Sequence, residues 1–270
     1  MLRPSAPVGT LLREWRRRRR LSQEELALDA EISPRHLSFV ETGRAQPSRA
    51  MILHLSEELD VPLRDRNALL VAAGFAPIFQ ERRLDDAALA AARRAIDLVL
   101  ESQKPFPAFA LDRHWNVAAS NRALQELYEG VAPDLLAPPV NALRLSLHPL
   151  GVAARIENLA EWRAHLLARL RRQIDLTADP VLEALLAEVS GFPGGEADAG
   201  AHDLEHAVLV PLKVRTSLGV LSFVSTTTVF GTPVDVTLAE LAIEQFFSAD
   251  AATANAVRRA AATARQPSPV

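Results

Sequence analysis

The stretch Leu21-Ser-Gln-Glu-Glu-Leu-Ala-Leu-Asp-Ala-Glu-Ile-Ser-Pro-Arg-His-Leu-Ser-Phe-Val-Glu-Thr-Gly43 carries two helices with their start and stop signals. Ser22, followed three residues later by Glu25, forms a capping box ahead of Leu26 and Leu28. Ser33 is the next cap, Pro34 occupies the first helical position where a missing N–H costs nothing, and Gly43 ends that helix. Only about four residues separate the two helices, the spacing of a helix-turn-helix. Upstream, Leu11, Leu12 and Trp15 share one helical face, and Arg16 to Arg20 close that helix at the carbonyl end of its dipole. Downstream, Ser48 opens a fourth helix carrying Ile52, Leu53 and Leu55, and a fifth runs from about Leu63 to Gly74. Residues 1–76 therefore read as a small five-helix domain.

Helix periodicity sorts the side chains that follow Ser33. With Leu37 and Val40 turned inward, Arg35, Ser38, Phe39 and Thr42 face outward, and His36 lies to the side. An arginine near the start of such a helix can pair with guanine O6 and N7, and a phenylalanine can pack on a thymine methyl. Gln23 with the second helix's amino end is a candidate phosphate contact, and Arg44 with Ser48 another. Ser33, at the cap, completes the candidate DNA-binding set. Of the five consecutive arginines, two are expected to touch phosphate, because five residues sweep more than a full turn.

The whole chain of 270 residues carries a net charge of −3, which by itself argues against nucleic acid. The distribution argues for it: residues 1–50 hold ten Arg against six acids, and the first twenty hold seven Arg and one Glu. At 49% hydrophobic and 23% charged, the chain can bury a sizeable core. With no cysteine there is no disulfide framework or thiol nucleophile, which fits a reducing cytoplasm. Thr216 to Val234 is uncharged but broken by Ser, Thr, Gly and Pro, too polar for a membrane span, so no membrane association is expected.

The run from Leu21 to Ser48 closely resembles the XRE/Cro-type helix-turn-helix, through Gln23, Leu26, Ala27, Ile32, Ser33, Leu37, Ser38, Glu41, Gly43, Pro47 and Ser48, and on through Leu55 and Leu59. The resemblance implies a homodimer reading double-stranded DNA at a near-palindromic operator, with the Ser33 to Thr42 helix in the major groove.

Residues 77–265 read as a second, α+β domain that begins with a linking helix, roughly Leu84 to Gln103, and 266–270 as a tail. Ala108 to Leu111 and Trp115 to Ala119 have the pattern of two short strands around a turn, and His206 to Val214 and Leu218 to Thr228 are β-rich. Helices are expected near Asn121 to Glu129, Val152 to Ile174 and Asp179 to Ser190, and Thr237 with Glu240 reads as a capping box opening a helix over Leu241, Ile243 and Phe246. Pro107 to Asn121 resembles the opening hairpin of a PAS-like sensor, although four strands are evident where PAS sheets have five. Asn141-Ala-Leu-Arg-Leu-Ser-Leu-His-Pro149, Asn158-Leu-Ala-Glu-Trp162 and Phe230-Gly-Thr-Pro-Val-Asp235 are similar to the ligand-binding domain of MmyB-like regulators. That resemblance implies a small, largely apolar, fatty-acid-like ligand between sheet and helices. Phe109, Leu111, Val117, Val208, Val210, Val220 and Phe223 are the candidate apolar contacts, and Arg144, His148 and Arg155 the groups to meet a carboxylate.

His202-Asp-Leu-Glu-His206 fits a zinc-peptidase pattern, but it runs directly into a β-rich segment where that chemistry needs a helix. No paired carboxylates and no Gly-rich phosphate loop are evident. The reading is therefore a regulator and not an enzyme, with no cofactor and no metal. The alternative is a constitutive regulator whose second domain only dimerises or recruits a protein partner.

Overall fold

The computed structural model describes residues 6–194 and 209–263. The chain divides into two compact units, residues 1–83 with 232–239, and 84–231 with 240–270.

The first unit contains five helices: α1 (Val8–Arg18), α2 (Gln23–Asp29), α3 (Pro34–Glu41), α4 (Arg49–Glu58) and α5 (Leu63–Ala72). Each of the three predicted serine caps is made: Ser22, Ser33 and Ser48 accept from Glu25 N, His36 N and Met51 N, and Glu25 completes the box by accepting from Ser22 N. Leu12, Leu26, Leu37, Ile52, Leu55, Leu59 and Leu70 form a sealed core. Gly9 sits where α1 crosses the end of α3, and a Cβ there would lie 2.2 Å from the Val40 carbonyl oxygen. Residues 77–83, assigned with the linking helix on sequence grounds, belong to this unit. Asn67 holds the start of that segment, its amide oxygen accepting from Ile78 N and Phe79 N while its amide nitrogen donates to Phe79 O. The unit also includes the short segment 232–239, where Asp235 accepts from Arg82 at 2.9 Å, Thr237 donates to the Arg82 carbonyl at 2.5 Å, and Val236 N donates to Gln80 O.

The second unit is a fully antiparallel five-stranded sheet with helices on both faces. Its elements are α6 (Ala90–Ser102), β1 (Ala108–Leu111), β2 (Val117–Ser120), α7 (Arg122–Glu126), α8 (Ala142–Leu147), α9 (Leu159–Thr177), α10 (Pro180–Ser190), β3 (Leu212–Thr216), β4 (Gly219–Val229), β5 (Ala242–Ser248) and α12 (Ala251–Thr263); α11 (Val236–Ala239) lies in the 232–239 segment. The strand order is β2-β1-β5-β4-β3. β5 corrects the sequence reading: the helix expected over Leu241 to Phe246 is the strand at the centre of the sheet. The helix started at Val236 ends after one turn, and the chain continues through Ile243, Phe246 and Phe247 as strand, paired with β1 over residues 242–245 and with β4 along its whole length. The strand read as His206 to Val214 begins, among described residues, at Leu212, and the long helix expected from Val152 begins as α9 at Leu159.

Alternation along β1 explains its complete burial. Ala108 and Ala110 face α6, and their small side chains let Ile96 and Leu100 close over them. Phe109 and Leu111 face the opposite way, into the main core with Phe223, Phe246, Trp162, Leu166 and Leu170. Asn121 links these layers, accepting from Leu124 N and Ala108 N and donating to Leu100 O and Phe106 O.

Candidate functional site

In the first unit, α3 buries Leu37 and Val40 and leaves Arg35, His36 and Thr42 exposed, with Ser38 and Phe39 half-buried. The guanidinium carbons of Arg35 and Arg44 lie 5.4 and 5.9 Å from the Phe39 ring centroid. The ring is thus a platform that steers two cations, and Arg44 joins the α3 face through it. Thr42 turns its hydroxyl back to the Ser38 carbonyl at 2.7 Å. Ser33 and Ser48 use their side-chain oxygens as helix caps. Gln23 donates its amide nitrogen to Glu41 at 2.6 Å, which turns that group toward the protein's own carboxylate.

Glu41 is the hub that sequence reasoning did not find. Arg16 grips both its oxygens at 2.7 and 2.9 Å and also donates to Leu21 O, while Arg13 stands 3.4 Å away. Burial works to raise the Glu41 pKa, but the hydrogen bonds from Arg16 and Gln23 and the charges of Arg16 and Arg13 hold it below the ordinary carboxylate value. α1, α2 and α3 are thereby tied at one buried point. The arginine run is mostly structural at two positions: Arg16 here, and Arg19, which donates to the carbonyls of Leu59 and Asp60 at 2.8 Å. Arg17, Arg18 and Arg20 are exposed. The signal was available in Glu41 itself, an acid at a position the helical period turns toward Leu37 and Val40.

In the second unit a cavity of about 80 Å³ lies between the sheet and α7, α8 and α9. Phe109, Leu111, Val117, Leu166 and Phe246 give it apolar walls, and Trp115 enters from the β1–β2 turn. Trp115 adopts a left-handed backbone (φ 67°), and its indole is fixed by a 2.8 Å bond to Gln173. One wall is polar. Arg169 of α9 spans both carboxylate oxygens of Glu244 at 2.8 and 3.0 Å, reaches Thr227 at 3.2 Å, and lies 5.1 Å from the Trp115 ring centroid. Glu244 stands on the central strand with its side chain only 4% exposed. His165 lies nearby, stacked on Trp162, and burial together with the Arg169 charge pushes its pKa down. Burial raises the pKa of the Tyr128 phenol, also at the lining, to about 12. A wider groove of about 790 Å³ adjoins, sharing Leu127 and Tyr128 and bordered by Lys104, Arg122 and Phe223.

Phe109, Leu111 and Val117 therefore meet at the cavity, and Phe223 borders the groove. Val210 packs half-buried on the core, Val220 is 48% exposed, and Val208 lies outside the described residues, as do His202 and His206. The three groups expected to meet a carboxylate are elsewhere. Arg144 is paired with Glu188 at 2.7 Å on the surface. His148 Nδ1 accepts from Leu150 N, with the ring edge-on to Phe192. Arg155 donates to the Leu127 carbonyl. The cavity's cation is Arg169, hidden in the sequence among the other arginines of α9, and its partner Glu244 sat in a segment read as helix.

No group of metal-binding side chains is found among the described residues, and no helix among them is long and apolar enough to cross a membrane. Residues 12–65 match the helix-turn-helix family and residues 92–260 match the MmyB-like transcription regulator ligand binding domain. No curated protein matches the chain. The two matches fall on the two surfaces just described, the α3 face and the cavity between sheet and helices: the chain belongs to the MmyB-like family, and is a DNA-binding transcription regulator with a ligand-binding domain.

Proposed function

We propose that the protein is a cytoplasmic homodimer that reads a near-palindromic operator and responds to a small, fatty-acid-like ligand, aliphatic over most of its length. The two α3 helices enter successive major grooves about 34 Å apart. Arg35 and Phe39 read bases, His36, Ser38 and Thr42 lie along the same face, and Arg44 meets phosphate. Ligand acts by differential affinity for two arrangements of the dimer. The chain performs no catalysis in this reading. The observation that carries the ligand class is the lining of the cavity, aromatic and aliphatic except for Arg169, Glu244 and Ser146. The strand order β2-β1-β5-β4-β3 supports a PAS-like sensor.

The test is native mass spectrometry of the purified chain, followed by thermal-shift measurements across aliphatic acids, alcohols and esters. A co-purified apolar molecule or a chain-length-dependent shift is expected. The cavity volume favours a second reading, because about 80 Å³ is well below the roughly 300–1,000 Å³ of ordinary ligand pockets. An empty domain with no shift would identify a constitutive regulator whose second unit dimerises or recruits a protein.

A further inference from the structure

The stretch Phe230-Gly-Thr-Pro-Val-Asp235 is not part of the cavity lining, yet it leads out of the sheet at the end of β4 and into the helical unit before the chain returns as β5. We infer that segment 232–239 is a clasp that reports occupancy of the cavity to the DNA-binding unit, and that a ligand widening the cavity releases it. The inference rests on the ligand-sensing reading above and names how that site is coupled to DNA.

Inside the helical unit the clasp is held on residues 80–82. Asp235, its side chain 3% exposed, accepts from Arg82 at 2.9 Å through one oxygen and from Thr237 N at 2.9 Å through the other. Thr237 donates its hydroxyl to Arg82 O, and buried Val236 donates its N–H to Gln80 O at 2.8 Å. The Arg82 side chain is 35% exposed, so this ion pair is screened by water and weaker than the sealed one at Glu41, which suits a contact that opens and closes. α11 lies against α5, α5 against α1 and α1 against α3, so freeing the clasp loosens the stack that carries the recognition helix.

The other ends of the segment are strands of the sheet. Val229, the last residue of β4, pairs with Ala242, the first of β5, so the two strands close at the neck of the excursion. Two residues further in, about 7 Å along the strand, Thr227 stands opposite Glu244. These are the two residues that Arg169 binds from α9, which ties the helix to both strands. At about 80 Å³ the cavity must widen to hold a ligand that fills an ordinary pocket of roughly 300–1,000 Å³, and α9 and the sheet are among its walls. Widening pulls at Arg169, and therefore at the ends of β4 and β5 that run into the clasp. A ligand that binds the widened form better shifts the population toward the released clasp by that difference in affinity.

The probe is dodecanoate, used below its aggregation concentration with the full-length chain. Hydrogen exchange read by mass spectrometry follows residues 232–239, where Val236 N, Thr237 N and Ala239 N are bonded to Gln80 O, the Asp235 carboxylate and Asp235 O. Dodecanoate should speed exchange there by about fivefold or more. Unchanged or slower exchange in a chain that binds dodecanoate would overturn the inference. Arg82→Met leaves the Asp235 carboxylate without its cation and opens the clasp. By linkage the variant should bind dodecanoate about fivefold or more tightly than the unaltered chain, although residue 82 does not line the cavity. A merely structural Arg82 would not move that affinity, and equal affinities in a folded variant would overturn the inference. On a duplex selected from a random pool by the chain alone, dodecanoate should weaken binding about fivefold or more in the unaltered protein and about twofold or less in Arg82→Met. An equal response in the two would overturn the coupling. The exchange measurement needs no variant, so it decides even if Arg82→Met fails to fold. Failure of dodecanoate to bind the unaltered chain would instead remove the ligand-sensing reading itself, and the inference with it.

Discussion

Replacing Arg16 with methionine removes three hydrogen bonds at once, two to Glu41 and one to Leu21 O, while keeping most of the aliphatic bulk. The two side chains are 10% and 0% exposed, so neither charge can recover hydration without moving the helices. Breaking a buried pair by removing one partner costs about 3–5 kcal/mol. Gln23 and Arg13 stay near the carboxylate, which places the expected loss at the lower end, about 3 kcal/mol. Against a typical stability of about 5–15 kcal/mol this is a large fraction. Hydrogen exchange read by mass spectrometry over α1, α2 and α3 isolates the effect from the second unit, and urea titration by circular dichroism supplies the free energy. The decisive comparison is the double variant Arg16→Met with Glu41→Leu, which removes both charges and should cost less than Arg16→Met alone. A single-variant loss under about 1 kcal/mol, or a double variant costing the sum of the two singles, would refute the view of Glu41 as a buried charge that depends on Arg16.

Arg35→Ala should cost about 1–3 kcal/mol on cognate DNA and relax preference at one base position, whereas Arg44→Ala should weaken all sequences alike and flatten the salt slope by about one unit; binding isotherms on specific and random duplexes at several salt concentrations separate the two. Gly9→Ala forces a Cβ to within 2.2 Å of Val40 O and 2.9 Å of Glu41 O, so α1 must retreat from the end of α3, at a cost of about 1–3 kcal/mol seen as a lowered melting temperature together with weaker DNA binding. Because the folded pKa of Glu41 lies below its unfolded value of about 4.3, its ionised form stabilises the first unit above that pH, and the contribution disappears as pH falls through the folded value. Acid titration with exchange readout over α1 to α3 should therefore show stability falling below about pH 4.3, with the fall reduced in the Arg16→Met/Glu41→Leu double variant.

The first unit was legible because its signals are local. Serine caps, Pro34, Gly43 and the inward period of Leu37 and Val40 each lie within a few residues of what they control, and the folded helices follow them. The second unit was legible only in part, because its central strand is specified by partners far along the chain. Ala242 to Ser248 lies between β1 and β4, and nothing local distinguishes Ile243-Glu-Gln-Phe246 from an amphipathic helix turn after a good cap. The same non-local pairing hid the polar wall: Glu244 faces the cavity because strand alternation puts it beside Phe246, a relation the helical reading does not contain. Arg144, His148 and Arg155 drew notice as cations near a family motif, yet Glu188, Leu150 N and Leu127 O hold them away from the cavity. Phe109, Leu111 and Val117 were found because the hairpin around Asp112 announces itself, with that carboxylate accepting from His114 N and Asn116 N.

The segment 232–239 gives the helical unit an unusual birth order. The residues of α1 to α5 are made well ahead of it, so Arg82 and Gln80 find Asp235 and Val236 only after some 150 further residues have been made. A fragment cut at the linking helix would carry every residue of α1 to α5 and still lack that last latch, so its melting point should underestimate that of the same helices in the whole chain. Splitting such a regulator into separately expressed halves would discard a piece of one half with the other.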